Sequence, residues 1–76
     1  MIHELDVVAL ARSLPEHGLE AGDVGTVVMV HGSGSGYEVE FSTLGGDTLA
    51  VVTLPAEAVR PLRQREISHA REVAPA

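Results

Sequence analysis

Residues 24–43 read VGTVVMVHGSGSGYEVEFST, two β-prone runs on either side of a glycine–serine segment. In the second run, Tyr37, Val39 and Phe41 alternate with polar residues, so the three face one side of an extended chain. This alternation is typical of an antiparallel strand with one buried and one solvated face. The flexible segment 32–36 most simply closes a hairpin between the two runs.

Further short β-prone runs flank this hairpin, and proline and glycine residues separate them, as turns require. Five short strands favour a small barrel, because a flat sheet of this size leaves two unpaired edges. We therefore predict an all-β, five-stranded barrel. The predicted strands are 6–11, 24–31, 37–43, 48–54 and 59–62, with turns at 13–18, 32–36 and 44–47 and a single 3₁₀ or α turn at 55–58.

The core is expected on the apolar side of these strands. Gly25 lies inside the second run and indicates a bulge or a close approach of another backbone. The predicted core residues are Val8, Val28, Val30, Val39, Phe41, Val51 and Leu54.

The chain divides into a barrel over residues 1–62 and a C-terminal tail over residues 63–76. The tail has no strand character. One or two helical turns over 65–73 would place a few apolar residues on one side, but isolated helices this short are marginal in water. We expect a weakly ordered tail that frays unless it docks on a partner.

Composition limits the possible functions. The chain has 76 residues and is 45% hydrophobic, which excludes a wholly disordered protein. It has no cysteine, which excludes disulfides, thiolate catalysis and cysteine-ligated metals. No apolar run approaches the ~18 residues of a membrane span. The first residues contain early acids and no basic region, so we expect a cytoplasmic protein.

Charge is distributed unevenly along the chain. Residues 1–59 hold nine acids and one arginine, giving −8, whereas residues 60–76 hold four arginines and two acids, giving +2. The sum is −6. An acidic body repels phosphate backbones, so nucleic acid is an unfavourable partner for the barrel.

The order of segments 4–8, 14–19, 22–28, 37–41, 49–54 and 59–62 resembles a family of small bacterial proteins of unknown function with an SH3-like or KOW-like barrel. The resemblance covers roughly residues 2–62 and leaves the tail out. It implies a small SH3-like five-stranded barrel and brings no catalytic residues with it. Some members look like antitoxin or immunity partners.

No catalytic, cofactor or metal site can be assembled from the sequence. The four histidines lack ligand spacing. Segment 32–36 has glycine where a nucleophilic serine is needed, and it leads into a strand instead of the helix that would hold a phosphate. A single tyrosine and a single phenylalanine do not support an aromatic peptide groove or a base-stacking surface.

The acidic residues suggest an interaction face if the fold clusters them, and otherwise an ordinary solvated surface. We predict a non-catalytic protein-interaction module, an antitoxin- or immunity-like partner or an accessory subunit, with another protein, basic in charge, as its partner. The alternatives are a KOW-like nucleic-acid or ribosome-associated module and a small metal-binding protein. The sheet edges leave a homo-oligomer open. The candidate face comprises Glu4, Asp6, Glu20, Asp23, Glu38 and Glu40.

Overall fold

The computed structural model describes residues 1–73. Within this range, two single-turn 3₁₀ helices occur, at Pro15–His17 and Ala56–Ala58. No helix of the described residues is long and apolar enough to cross a membrane. The predicted all-β class and the five strands are confirmed, as is the turn before the last strand. The strands are β1 (Val7–Leu10), β2 (Val24–His31), β3 (Gly36–Ser42), β4 (Thr48–Pro55) and β5 (Val59–Pro61).

The five strands form one antiparallel sheet in the order β4-β3-β2-β1-β5. Strands β2, β3 and β4 follow one another through two hairpins, and β5 returns to pair with β1. Among the described residues, β4 and β5 share no backbone pairing. The ladder is therefore an open series of five strands, and its closure into a barrel stays a prediction.

The core lies on one face of this sheet and is formed by alternate strand residues. Tyr37, Val39 and Phe41 of β3 are buried, as their alternation in the sequence indicates. Two leucines of the β1–β2 connection and the 3₁₀ turn before β5 complete the packing. The buried core residues are Val8, Leu10, Leu14, Leu19, Val27, Tyr37, Val39, Phe41, Leu54, Ala58 and Val59.

Four of the predicted core residues are confirmed: Val8, Val39, Phe41 and Leu54 are buried. Val30 is half-buried and packs against the same cluster.

Two predicted core residues are wrong. Val28 is 40% exposed because the register shifts at this point: Val27 pairs with Val39 and Met29 with Glu38, which leaves Val28 as the extra residue of a β-bulge. Val51 is 55% exposed because it pairs with an outward-facing residue of β3. Side chains of directly paired residues share a face of the sheet.

Gly25 allows β2 to approach β3 closely. A Cβ built on Gly25 would lie 2.6 Å from Val39 Cγ1 and 2.9 Å from the carbonyl oxygen of Glu40. Real Cβ atoms essentially never come this close to another heavy atom. The close approach expected at Gly25 is therefore present, whereas the bulge lies three residues further on.

The tail contains no helix or strand over residues 63–73, apart from one hydrogen-bonded turn in which Glu66 N–H donates to Arg63 O (3.1 Å). Residues 74–76, to which the expectation of a weakly ordered tail also applies, lie outside the described range. The described part is attached to the sheet at two places. Glu66 binds Arg60 of β5, and Arg71 binds Asp23 just before β2. Because β1 lies between β5 and β2, the segment between these two attachments crosses from one side of β1 to the other.

Candidate interaction face

Glu38 and Glu40 lie on the side of the sheet opposite the core, because they alternate with the buried residues of β3. Each is the centre of a row of paired residues that runs across three strands. Thr26 and Val51 flank Glu40, and Met29 and Thr53 flank Glu38. We call these six residues the outer face: Thr26, Met29, Glu38, Glu40, Val51 and Thr53.

The outer face combines the two carboxylates with exposed apolar side chains. Met29 is 46% exposed, and Val51 on the opposite side of β3 is more exposed still. Val28, the bulged residue, adds to the apolar surface next to Met29. Exposed apolar side chains that lie beside polar or charged groups can form part of a protein-binding surface.

Neither carboxylate of the outer face has an arginine partner among residues 1–73. Glu40 accepts a hydrogen bond from the hydroxyl of Thr48 (2.9 Å). The nearest basic group to Glu38 is Nε2 of His31, 3.7 Å from its Oε2. This nitrogen is shielded from solvent and forms no hydrogen bond within the described range. Within residues 1–73, neither Glu38 nor Glu40 therefore has an arginine counter-ion.

Glu20 and Asp23 are in a different situation, because a tail arginine binds Asp23 and lies close to Glu20. Arg71 Nε donates to Asp23 Oδ1 (3.0 Å), one of its terminal nitrogens binds the other oxygen, and the same group donates to Gly18 O (3.1 Å). Glu20 lies 3.6 Å from Arg71 Nη1. The hydrogen bond from Arg71 lowers the pKa of Asp23 and raises the pKa of Arg71 itself. We call Gly18, Glu20, Asp23 and Arg71 the tail anchor.

A second arginine of the C-terminal region is also paired. Both terminal nitrogens of Arg60 donate to the carboxylate of Glu66, at 2.9 and 2.6 Å, and Arg63 N–H donates to it at 2.6 Å. The bond from Arg60, supported by Arg63, lowers the pKa of Glu66 to about 2. Two of the tail's charged residues, Glu66 and Arg71, are thus used in attaching the tail to the sheet.

Glu4 and Asp6 form the third acidic pair, in the turn before β1. Asp6 accepts a hydrogen bond from His3 N–H (2.8 Å), so its carboxylate stabilises the turn. The backbone oxygen of Asp6 accepts a hydrogen bond from Val27 N–H, at the start of β1. The backbone oxygen of Asp23 accepts one from Leu10 N–H, at the far end of β1. Four strand residues separate these ends, a distance of about 13 Å at about 3.3 Å per residue.

The six predicted acidic residues therefore form three separate pairs instead of one patch. The structure brings Glu38 and Glu40 together on the outer face, and it brings Glu20 and Asp23 together around Arg71. The sequence did not reveal the partner of Asp23, which lies 48 positions away. One signal pointed towards it, since the arginines are concentrated after residue 59 and the acids before it. The sequence analysis also does not identify the apolar components of the outer face, because it predicts Val51 in the core.

A groove of about 510 Å³ lies between the N-terminal residues and the β2–β3 loop. Its lining is mainly apolar or glycine, with Glu4 as the single carboxylate. Among residues 1–73, no three histidine or acidic side chains converge as metal ligands. The groove is lined by Met1, Ile2, His3, Glu4, Val30, Gly32, Ser33 and Gly34.

Comparison with known protein families gives a match over residues 4–61, which includes all five strands and both 3₁₀ turns and ends before the tail. The matching family is described as Domain of unknown function (DUF4926). The chain belongs to this family. The predicted membership of an uncharacterised domain family is confirmed, and the match covers nearly the segment predicted from the sequence. No curated protein and no solved structure matches the DUF4926 chain.

Proposed function

We propose that this DUF4926 protein is a non-catalytic interaction module that binds a basic protein partner through the outer face. The observation that carries the proposal is a difference in arginine pairing between two of the acidic pairs. Asp23 is paired with Arg71, and Glu20 lies 3.6 Å from the same guanidinium, whereas Glu38 and Glu40 have no arginine partner within residues 1–73 and are flanked by exposed apolar side chains. A complementary surface would present lysine or arginine to the two glutamates and apolar groups to Met29 and Val51.

The net charge of the chain also favours a basic partner. The chain carries a net charge of −6, and opposite charge on a partner accelerates association. Two kinds of role fit a module of this size: an antitoxin- or immunity-like partner that blocks a basic protein, and an accessory subunit of a larger assembly. Both require the same face, so one experiment tests them together.

The test is capture of partners by the tagged protein from nuclease-treated native lysate, at low and moderate salt, with a charge-matched pair of variants. Glu38→Gln/Glu40→Gln removes two charges from the outer face. Glu16→Gln/Glu57→Gln removes two charges from exposed positions in the 3₁₀ turns. We expect one stoichiometric basic protein that the control pair retains and the outer-face pair loses.

The captured protein is then purified and titrated against each variant. Two lost surface ion pairs weaken binding by about tenfold. The proposal fails if no protein is retained at either salt concentration, or if the two double variants bind equally well.

A further inference from the structure

The free edge of β4 carries a second inference, independent of the outer-face carboxylates. β4 is the last strand of the sheet, and among the described residues it pairs with β3 alone. Ala56 N–H donates to Ser35 O (3.2 Å), next to the pair Gly36–Pro55. Antiparallel ladders alternate between hydrogen-bonded and non-hydrogen-bonded pairs. Since Ala56 is hydrogen-bonded to Ser35, every second residue before it, Leu54, Val52 and Ala50, forms backbone hydrogen bonds to β3. It follows that Val51 and Thr53 direct their N–H and C=O groups away from the sheet.

Between its two ends, this edge lacks the features that normally prevent strand pairing. Natural edges are blunted by charged residues, prolines, bulges or very short strands. In β4 the register shift opposite Ser42 marks one end and Pro55 marks the other, and residues 50–54 between them read AVVTL. The segment is uncharged and β-prone. Its inward residues Ala50 and Val52 stay half-buried, because no strand within residues 1–73 pairs with this edge.

We infer that this edge pairs with the β4 edge of a second copy of the chain, in a two-fold symmetric dimer. With the axis at Val52, antiparallel pairing sets Ala50 against Leu54 of the partner and Val51 against Thr53 of the partner. The second of these pairs joins the free backbone groups, which gives four inter-chain hydrogen bonds across the two symmetric positions. The Ala–Leu pair sets a small side chain against a large one on the core side. No pair contains a charge.

Charge repulsion does not prevent this arrangement at physiological salt. Glu38 and Glu40 lie on β3, so three strand spacings, about 14 Å, separate them from their counterparts in the partner. This distance exceeds the Debye length of about 8 Å at 0.15 M. The surface buried by pairing two five-residue edges is smaller than the roughly 1,200 Å² that stable interfaces bury. The dimer is therefore weak, and its population depends on protein concentration.

The test is sedimentation velocity over micromolar to millimolar concentrations, on the wild type and two variants at one position. Thr53→Pro removes an N–H that points to the free edge and leaves the bonds to β3 intact. Thr53→Val keeps the N–H and serves as the matched control. We expect wild type and Thr53→Val to shift from monomer to dimer and Thr53→Pro to stay monomeric, with circular dichroism confirming its fold.

A measurement on the wild type alone does not depend on the proline variant. We expect amide hydrogen exchange at Val51 and Thr53 to slow with rising protein concentration, while exchange at the free edge of β5 is unchanged. Raising salt from about 50 to about 500 mM strengthens the dimer, because it screens repulsion between like-charged copies. The inference is overturned if the protein stays monomeric at millimolar concentration, if Thr53→Pro dimerises normally, or if these two amides show no concentration dependence.

Discussion

Replacing Gly25 by alanine tests the close packing of β2 on β3. The added methyl group would lie 2.6 Å from Val39 Cγ1 and 2.9 Å from both the Glu40 carbonyl oxygen and Phe41 Cδ1. Ordinary contacts of this kind begin at 3.4 Å, so the overlap with the closest atom is 0.8 Å. Val39 and Phe41 are buried and cannot turn away without disturbing the core, and the carbonyl belongs to the β3 backbone.

We expect Gly25→Ala to destabilise the fold by about 3 kcal/mol, the upper end of the cost of overpacking. A chain of this length has about 4–11 kcal/mol of stability, so the loss is a large fraction of the total. The melting temperature would fall by about 12–24 °C. Urea unfolding followed by far-ultraviolet circular dichroism measures the change, with the slope m showing whether both proteins unfold between similar states.

Gly45→Ala is the matched control. A Cβ at Gly45 meets only Thr43 Oγ1, at an ordinary 3.7 Å, so this substitution should be neutral or stabilise by up to about 1 kcal/mol. The double variant Gly25→Ala/Val39→Ala should show a favourable coupling of about 1 kcal/mol, because the smaller residue removes the closest contact. If Gly25→Ala unfolds within 1 kcal/mol of the wild type at an unchanged m, the two strands do not approach each other as described.

Three further predictions address the core, the tail and one turn. Phe41→Ala, which empties the largest fully buried position, should cost about 3–5 kcal/mol in urea unfolding, and an unchanged midpoint would place Phe41 outside the core. Arg71→Ala should lower the melting temperature at pH 7. The pKa of Asp23 in the folded protein is lowered from 3.8, so the pair stabilises the fold fully above pH 3.8. This stabilisation is lost as the pH falls through the lowered pKa of folded Asp23. The difference from the wild type should therefore close in acid, and a constant difference would contradict the pairing. Leu5 has an exposed side chain and a positive backbone φ of 70°. Leu5→Gly should relieve this backbone strain and raise the free energy of unfolding by up to about 1 kcal/mol in the same assay. A loss of stability would show that Leu5 is not strained.

The strands could be predicted from the sequence because the turn residues and the alternation of apolar and polar residues indicate the same strand boundaries. β2 was placed at its observed bounds, and β3 was phased correctly because glutamates mark its outward positions. The errors fall where every neighbour is apolar. In the run Val27 to Val30, nothing in the residue types indicates which one is the extra residue of the bulge. In β4, Val51 and Val52 are identical in type, and only the register with β3 decides which one faces outward.

The candidate site was less predictable than the fold, because it depends on contacts between distant residues. The sequence supplied the acidic residues, but it did not show which of them the chain neutralises itself. That distinction comes from Arg71, whose position beside Asp23 depends on the path of a tail without regular structure. The charge asymmetry of the sequence predicts attraction between tail and body in general, and does not identify the pair.

The two proposals for this molecule predict opposite effects of ionic strength. Binding of a basic partner depends on attraction to Glu38 and Glu40, so added salt weakens it. Dimerisation through residues 50–54 uses uncharged backbone groups of two chains that each carry −6, so added salt strengthens it. The sites are also separable by substitution, since Glu38→Gln/Glu40→Gln should weaken partner binding while making self-association slightly easier. Both lie on adjacent strands, and an occupied β4 edge brings a second copy next to Val51. A partner bound over Val51 would therefore compete with the dimer, and its apparent affinity should fall as the concentration of the DUF4926 protein rises.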